Sequence, residues 1–226
     1  MSKLAKTRVV TGYVPLPDHP RSAETYGKLG YKLSDALGDH PLAVYYSKIP
    51  ELWLTQFLET LPPMEPPLTW SKGDNPRKNS LEFHCVQYEK FTWLARAAAK
   101  DSESDTFIWM DYGIFSQPGM SAEVIRGFLS RIRKGDFAFP GCWAPNSEPI
   151  DEYPSWRFLG SLMIVPRDNM RQLVECVQAT TRLYIRLMKR VTFEVNTLAR
   201  VEPYLRKTPF RWYQADHNAS QFGNYA

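Results

Sequence analysis

Hydrophobic and polar positions alternate along the chain with two different periods, which predict strands and helices in succession. Apolar and β-branched runs bounded by turn residues indicate short strands at Thr7–Val14, Pro41–Tyr46, Thr106–Met110, Phe137–Phe139 and Leu162–Val165. Apolar residues three to four positions apart indicate helices at Ser22–Leu37, Glu51–Leu61, Ser80–Lys100, Ser121–Lys134, Arg167–Lys189 and Thr192–Val201.

Strands that alternate with helices over short connections predict an α/β fold with a mostly parallel central sheet flanked by helices. In such sheets ligands bind beyond the carboxyl ends of the strands. The loops after Val14, Tyr46 and Met110 are therefore expected to lie on one functional edge.

The length of 226 residues predicts a single domain, residues 1–226, because single cores grow to about 250–300 residues. Residues 62–79 are rich in Pro, Gly and charge, and are expected to form a loop or lid, the alternative being a flexible surface excursion. The aromatic and polar tail, residues 206–226, is expected to pack back on the site.

The chain has no apolar run of the roughly 18 residues that a membrane span needs, and no apolar signal core at its start. Cys85, Cys142 and Cys176 are far apart and odd in number, which is typical of reduced thiols in a cytoplasmic protein. Burial explains these cysteines better than nucleophilic catalysis, which needs a positioned His.

The charge is distributed unevenly. The net charge is +4, but the segment Arg167–Arg211 has ten Lys or Arg against four Asp or Glu, so it carries +6 and the remainder −2. A basic segment on a near-neutral body indicates an anionic partner such as phosphate or nucleic acid. A solvated helix face without a partner is the alternative.

Asp111 is the sharpest chemical signal in the sequence. It directly follows the apolar strand Thr106–Met110, and Gly113 is expected to permit an unusual backbone turn behind it. A carboxylate at that position can coordinate a hard divalent cation that also holds a diphosphate. The alternative is an Asp that bonds the backbone of its own loop.

Three further groups are candidates for chemistry. Asp216 and His217 can fold back to complete a metal site with Asp111, because carboxylate and imidazole suit Mn²⁺-like ions. Glu194 can act as a general base if it faces a bound hydroxyl. The structural alternatives are a lone structural His and a first-turn Glu that interacts with the helix dipole.

Arg21, Lys48, Lys78 and Lys90 are candidate partners for phosphate or diphosphate. Lys90 interrupts an apolar helical face between Tyr88 and Phe91, although any of the four can simply be solvated. The motifs of P-loop nucleotidases, nicotinamide enzymes, zinc proteases and serine hydrolases are absent from the sequence.

A set of short motifs resembles a known family. The motifs are Thr11-Gly12-Tyr13, Arg21 with Tyr26, Phe107–Ile114 (FIWMDYGI), Phe158-Leu159-Gly160, Phe193-Glu194 and Ala215-Asp216-His217. Together they resemble the HtrL/YibB-like family of bacterial glycosyltransferase-like proteins, within the GT-A superfamily. The segment FIWMDYGI is the most specific of them.

The resemblance implies transfer of a sugar from a nucleotide-diphosphate donor, with a UDP-sugar as the first choice, and a divalent metal, Mn²⁺ or Mg²⁺. Asp111 matches the first position of the superfamily's D-x-D element, but Gly113 stands at the third. The implied metal ligands are Asp111, Asp216 and His217, and the implied catalytic acids are Glu194 and Asp111. The implied donor-binding residues are Thr11, Gly12, Tyr13, Arg21, Lys90, Tyr112 and Gly160.

Three hypotheses for function remain open on the sequence. The first is transfer to a saccharide acceptor. The second is the same chemistry on a hydroxymethylated base in DNA, as in a phage, because cations and aromatic residues interleave between Arg182 and Trp212. The third is a non-catalytic binding protein on a degenerate transferase fold, motivated by the missing second Asp.

Overall fold

A six-stranded sheet in the order β2-β1-β4-β6-β5-β8 forms the centre of the computed structural model, which describes residues 3–16, 22–144 and 151–225 except for the side chain of Arg77. The strands are β1 (Thr7–Tyr13), β2 (Leu42–Tyr46), β4 (Thr106–Met110), β5 (Phe137–Gly141), β6 (Leu162–Pro166) and β8 (Phe210–Gln214). In this sheet β6 is the strand that runs antiparallel to both neighbours. The other pairs are parallel, which confirms the mostly parallel sheet.

Helices cover both faces of the sheet, and this confirms the predicted α/β class. They are α1 (Ala23–Leu37), α2 (Trp53–Glu59), α3 (Leu81–Lys100), α4 (Ala122–Leu129), α5 (Arg167–Met188), α6 (Glu194–Leu205) and α7 (Ser220–Gly223). A separate parallel pair joins β3 (Thr69–Trp70) to β7 (Arg190–Val191). Ser22, Ser80 and Ser121 each accept a hydrogen bond from a backbone N–H in the first turn of α1, α3 and α4.

The strands divide their side chains between two cores with the period of two that a pleated strand imposes. In β4, Phe107 and Trp109 pack into the core beneath α3 and α5. Ile108 and Met110 face the opposite core, beneath α1 and α4. All five residues of β4 are buried, so the strand that carries Asp111 lies at the centre of the molecule.

Several element boundaries differ from the prediction. Helix α4 ends at Leu129 rather than Lys134. Helix α6 begins at Glu194 and runs to Leu205, past the predicted end at Val201. Strand β8 lies inside the tail that was predicted only to pack back, and it pairs in parallel with β5.

The backbone at Gly113 differs from the unusual turn that the sequence predicted there. Its backbone has φ −94° and ψ 18°, which ordinary residues adopt, so no unusual turn follows Asp111. All three cysteines carry free thiols, with Cys85 buried. Within the described ranges, no helix is long and apolar enough to cross a bilayer.

Candidate functional site

A cavity of about 760 Å³ opens at the sheet edge where the carboxyl ends of β1 and β4 meet. The amino end of β6 reaches the same edge because β6 runs antiparallel to β4. Tyr13, Asp111 and Gly160, which end β1, follow β4 and precede β6, therefore line one cavity. Glu194 and His217 line it as well.

Tyrosine rings form one wall of this cavity. The rings of Tyr13 and Tyr112 stack with centroids 5.6 Å apart, and Tyr26 lies 5.0 Å from Tyr13. The Tyr112 hydroxyl hydrogen-bonds that of Tyr46 over 3.2 Å. Burial, and then this hydrogen bond, raise the pKa of Tyr112 to about 12. The wall is therefore uncharged at neutral pH and offers flat aromatic surface.

Gly12 and Thr11 support this wall differently. A Cβ on Gly12 would overlap the ring of Trp93, so only glycine lets that indole pack against β1. Gly12 lines the cavity, whereas Thr11 is fully buried beneath it and does not line it. A direct contact of the Thr11 side chain with a bound nucleotide would need the strand to move.

A buried ion pair lies at the base of the cavity. Lys90 on α3 is 2% exposed and Glu194, the first residue of α6, is 4% exposed. The Lys90 Nζ donates to Glu194 Oε1 at 3.0 Å and to the Gly160 carbonyl at 2.7 Å. Each buried charge is thus paired, as a low-dielectric site requires.

Gly160 lies directly against this pair. A Cβ on Gly160 would overlap Glu194 Oε1 and would come within 2.9 Å of Lys90 Nζ. Glycine at this position is therefore a steric requirement of the ion pair. The resemblance implied that Gly160 binds the donor, whereas in the structure the protein's own charged groups lie against it.

The Asp111 carboxylate bridges the buried pair and the open cavity. Its side chain is 40% exposed, and Oδ1 lies 3.9 Å from Lys90 Nζ. The Trp109 indole N–H donates to the same oxygen over 2.8 Å. The side chain thus accepts from a neighbouring strand residue, which differs from the loop-capping alternative. The indole and the ammonium orient the carboxylate.

Asp216 and His217 follow β8 and meet a third group, Cys142, which follows β5. The potential ligand atoms of these three side chains all lie within 4.8 Å of one another. Among the described residues, these three Cys, Asp and His side chains lie close enough together to hold one metal ion. Asp111 does not belong to this group. Burial, and then the Asp216 carboxylate, raise the pKa of Cys142 to about 11.

Part of the predicted lid lines the cavity, from Gly73 to Asn79. The Asn79 side chain clasps this segment, because its Oδ1 accepts the Gly73 N–H at 2.6 Å and its Nδ2 donates to the Gly73 carbonyl at 2.9 Å. Lys78 is exposed on this segment at the cavity. Lys48 does not line the cavity, and Arg21 lies outside the described residues.

Sequence reasoning missed Cys142 and a second aromatic wall of the cavity. That wall contains Phe83, Trp156 and Phe193. Cys142 comes shortly after a predicted strand, so the strand-end rule applied to Phe137–Phe139 would have found it. Trp156 sits in a stretch without periodicity, and nothing in the sequence marks it.

Comparison with known proteins finds no matching family model and no matching curated protein. Solved structures show distant likeness. A glycosyltransferase involved in glycosylation of the major capsid of PBCV-1 is 14% identical, with 93% of this chain and 82% of that chain covered and a TM-score of 0.49.

Two further structures are similarly distant. The 4-diphosphocytidyl-2C-methyl-D-erythritol synthase of Anaerococcus prevotii DSM 20548 is 13% identical over 95% of this chain and 90% of its own, with a TM-score of 0.42. Mouse xyloside xylosyltransferase 1 is 9% identical over 93% of this chain and 85% of its own, with a TM-score of 0.40. At these scores the likeness assigns no activity, and the geometry of the cavity has to support any function.

Proposed function

We propose that the chain is a metal-dependent glycosyltransferase, one domain over residues 1–226, that moves a sugar from a nucleotide-diphosphate donor to a saccharide acceptor. The observation that carries the proposal is the meeting of Asp111, Lys90 and Glu194 at the base of a cavity with aromatic walls. A UDP-sugar is the first donor to test, in keeping with the sequence resemblance.

The tyrosine wall suits the base of the donor. Tyr13 and Tyr112 present neutral ring faces at the strand ends, and a nucleobase gains stacking energy on such faces. Gly12 leaves the room that the Trp93 indole needs to pack against β1 beside this wall. The aromatic rings of Phe83, Trp156 and Phe193 then remain for the apolar face of an acceptor sugar.

The transfer itself breaks the bond between the sugar's anomeric carbon and the diphosphate and forms a bond from that carbon to an acceptor oxygen. In an inverting reaction Glu194 accepts the proton of the acceptor hydroxyl. In a retaining reaction the departing phosphate takes that proton. The Lys90 ammonium and the Trp109 indole hold Glu194 and Asp111 in place for either course.

A divalent cation, Mn²⁺ or Mg²⁺ by the sequence resemblance, would neutralise the departing diphosphate when bound. Asp216 and His217 have donor atoms of a suitable kind and lie together, and Asp111 faces the same cavity as His217. These three residues are the proposed ligands. The exposed Lys78 adds a positive charge at the cavity.

The DNA-base alternative has no supporting observation in the cavity. Its basic residues do not line the cavity: Arg182, Arg186, Lys189, Arg190, Arg206, Lys207 and Arg211. The guanidinium of Arg182 instead lies over the rings of Trp53 and Phe57 on α2. The proposed acceptor is therefore a saccharide.

The first test measures thermal stability with UDP-, GDP-, dTDP- and CMP-sugars, each without metal, with Mn²⁺ and with Zn²⁺. A ligand at about 100 times its Kd stabilises a protein by roughly 2.7 kcal/mol. We expect one nucleotide to raise Tm only with metal, and Asp111→Ala to abolish the shift. Asp39→Ala, an exposed carboxylate before β2 at the opposite sheet edge, is the matched control. No shift with any donor would refute the proposal and favour a non-catalytic binding protein.

A further inference from the structure

The ends of β5 and β8 bring a thiol, a carboxylate and an imidazole together by backbone pairing. The two strands are parallel and end in register, with Gly141 opposite Gln214. The pairing continues one step further, because the Ala215 N–H donates to the Gly141 carbonyl at 2.9 Å. Cys142 is therefore level with Ala215, and Asp216 follows one residue later at the same sheet edge.

Two of the three separations within this group match those around a tetrahedral metal ion, and the third is at most 4.8 Å. The Cys142 Sγ lies 3.7 Å from Asp216 Oδ1, and His217 Nδ1 lies 3.4 Å from the same oxygen. Metal–ligand bonds of about 2.0–2.3 Å in tetrahedral geometry give ligand separations of roughly 3.3–3.8 Å. An ion could therefore bind with small side-chain adjustments.

The backbone and a neighbouring ring fix two of the three groups. The Cys142 N–H donates to the Trp156 carbonyl at 2.8 Å, which anchors the residue. The Trp156 ring meets the His217 imidazole edge-on, with centroids 4.4 Å apart. Partners of this kind orient metal ligands and limit how far they move when the ion is absent.

We infer that Cys142, Asp216 and His217 form a site for a thiophilic divalent cation, Zn²⁺ or Co²⁺, and that this ion takes the place of the Mn²⁺ or Mg²⁺ that the sequence resemblance implies at Asp216 and His217. Thiolate and imidazole are soft or borderline ligands, and the order of divalent affinities places Co²⁺ and Zn²⁺ above Mn²⁺. Mg²⁺ prefers six oxygen ligands, which these side chains do not supply. Three protein ligands leave a position open for water or a ligand oxygen, and His217 faces the cavity.

Metal binding at these residues needs no turnover. The inference can therefore be tested independently of the transfer reaction. The experiment titrates chelator-treated protein of residues 1–226 with Co²⁺ and follows the near-ultraviolet band of sulfur-to-cobalt charge transfer. We expect one equivalent of Co²⁺ to saturate the band. Zn²⁺ should remove it, and excess Mg²⁺ or Mn²⁺ should leave it.

Variants assign the band to its ligand. Cys142→Ser is expected to lose it, and His217→Ala to weaken Zn²⁺ binding by at least about 100-fold. Cys176→Ser is the control, since this half-buried thiol lies on α5 outside the cavity. A band that survives in Cys142→Ser, or Mn²⁺ binding as tight as Zn²⁺ binding, would overturn the inference. Circular dichroism confirms that each variant is folded.

Discussion

Gly160 shows how a single residue sets the geometry of the proposed site. Its missing side chain makes room for the Lys90–Glu194 pair, and its carbonyl accepts one of the hydrogen bonds from Lys90. The sequence resemblance implied that Gly160 binds the donor, but it could not show that a buried ion pair lies against this residue. The partner lies on α3 and α6, which are remote in sequence.

Gly160→Ala should therefore separate the ion pair. Overpacking of this kind costs about 1–3 kcal/mol of unfolding free energy, and donor binding should be lost with it. Gly27→Ala is the matched control, because a Cβ on Gly27 of α1 meets nothing within 4 Å. In that helix Ala should be more stable than Gly by about 0.5–1 kcal/mol. Equal effects of the two variants in urea unfolding would contradict this explanation.

Among the elements, the docking of α2 on α3 depends on a buried acid. The Glu89 Oε2 accepts the backbone N–H of Trp53 at 2.8 Å, in the first turn of α2. Burial raises the pKa of Glu89 from 4.5 to about 7, although the Trp53 hydrogen bond opposes the shift. The amphipathic pattern predicted both helices, but not this polar contact between them.

This raised pKa predicts a pH-dependent stability. Between about pH 4.5 and 7 the unfolded state releases the Glu89 proton and the folded state retains it, so stability falls as pH rises. The loss is on the order of 3 kcal/mol. Glu89→Gln stays neutral, and its stability relative to the native protein should grow by that amount over the same range. Urea titrations at several pH values test this, and a constant difference would argue against it.

Two hydrogen bonds from the Asn79 side chain tie together the ends of the segment from Gly73 to Asn79. Asn79→Ala removes two hydrogen bonds to Gly73, each worth about 0.5–1.5 kcal/mol. We expect trypsin to cleave after Lys78 roughly tenfold faster, because local opening becomes more frequent. Asp74→Ala, an exposed change in the same segment, should not alter the rate. Unchanged cleavage in Asn79→Ala would show that other contacts hold the segment.

Over the whole molecule, the local hydrophobic pattern predicted most helices and five of the six strands of the main sheet. The sixth strand and the order of the strands depend on pairing between distant segments. Strand β8 is half-buried and carries Arg211, so its pattern is weak. Its partner β5 lies about 70 residues earlier in the chain, and no local signal reports that pairing. The direction of β6 and the order of strands are likewise invisible in the pattern.

The residues of the candidate site likewise fall into those that local sequence pattern identifies and those that only non-local pairing brings together. Asp111, Gly160, Glu194 and His217 were identified as candidates from strand ends and motifs, and the structure brings them to one cavity. Cys142 joins Asp216 only because β5 and β8 are neighbours. Thr11 was expected beside the nucleotide, yet the alternation of β1 turns its side chain into the protein.

The contacts of Lys90 also bear on how the chain folds. They join residues separated by 70 and 104 positions, and closing long loops costs entropy before the contacts stabilise anything. In a refolding chain the helices can form early, whereas the base of the cavity requires both loops to be closed. Recovery of the proposed nucleotide binding should therefore report the last stage of folding, and recovery of the helical circular-dichroism signal should report the first.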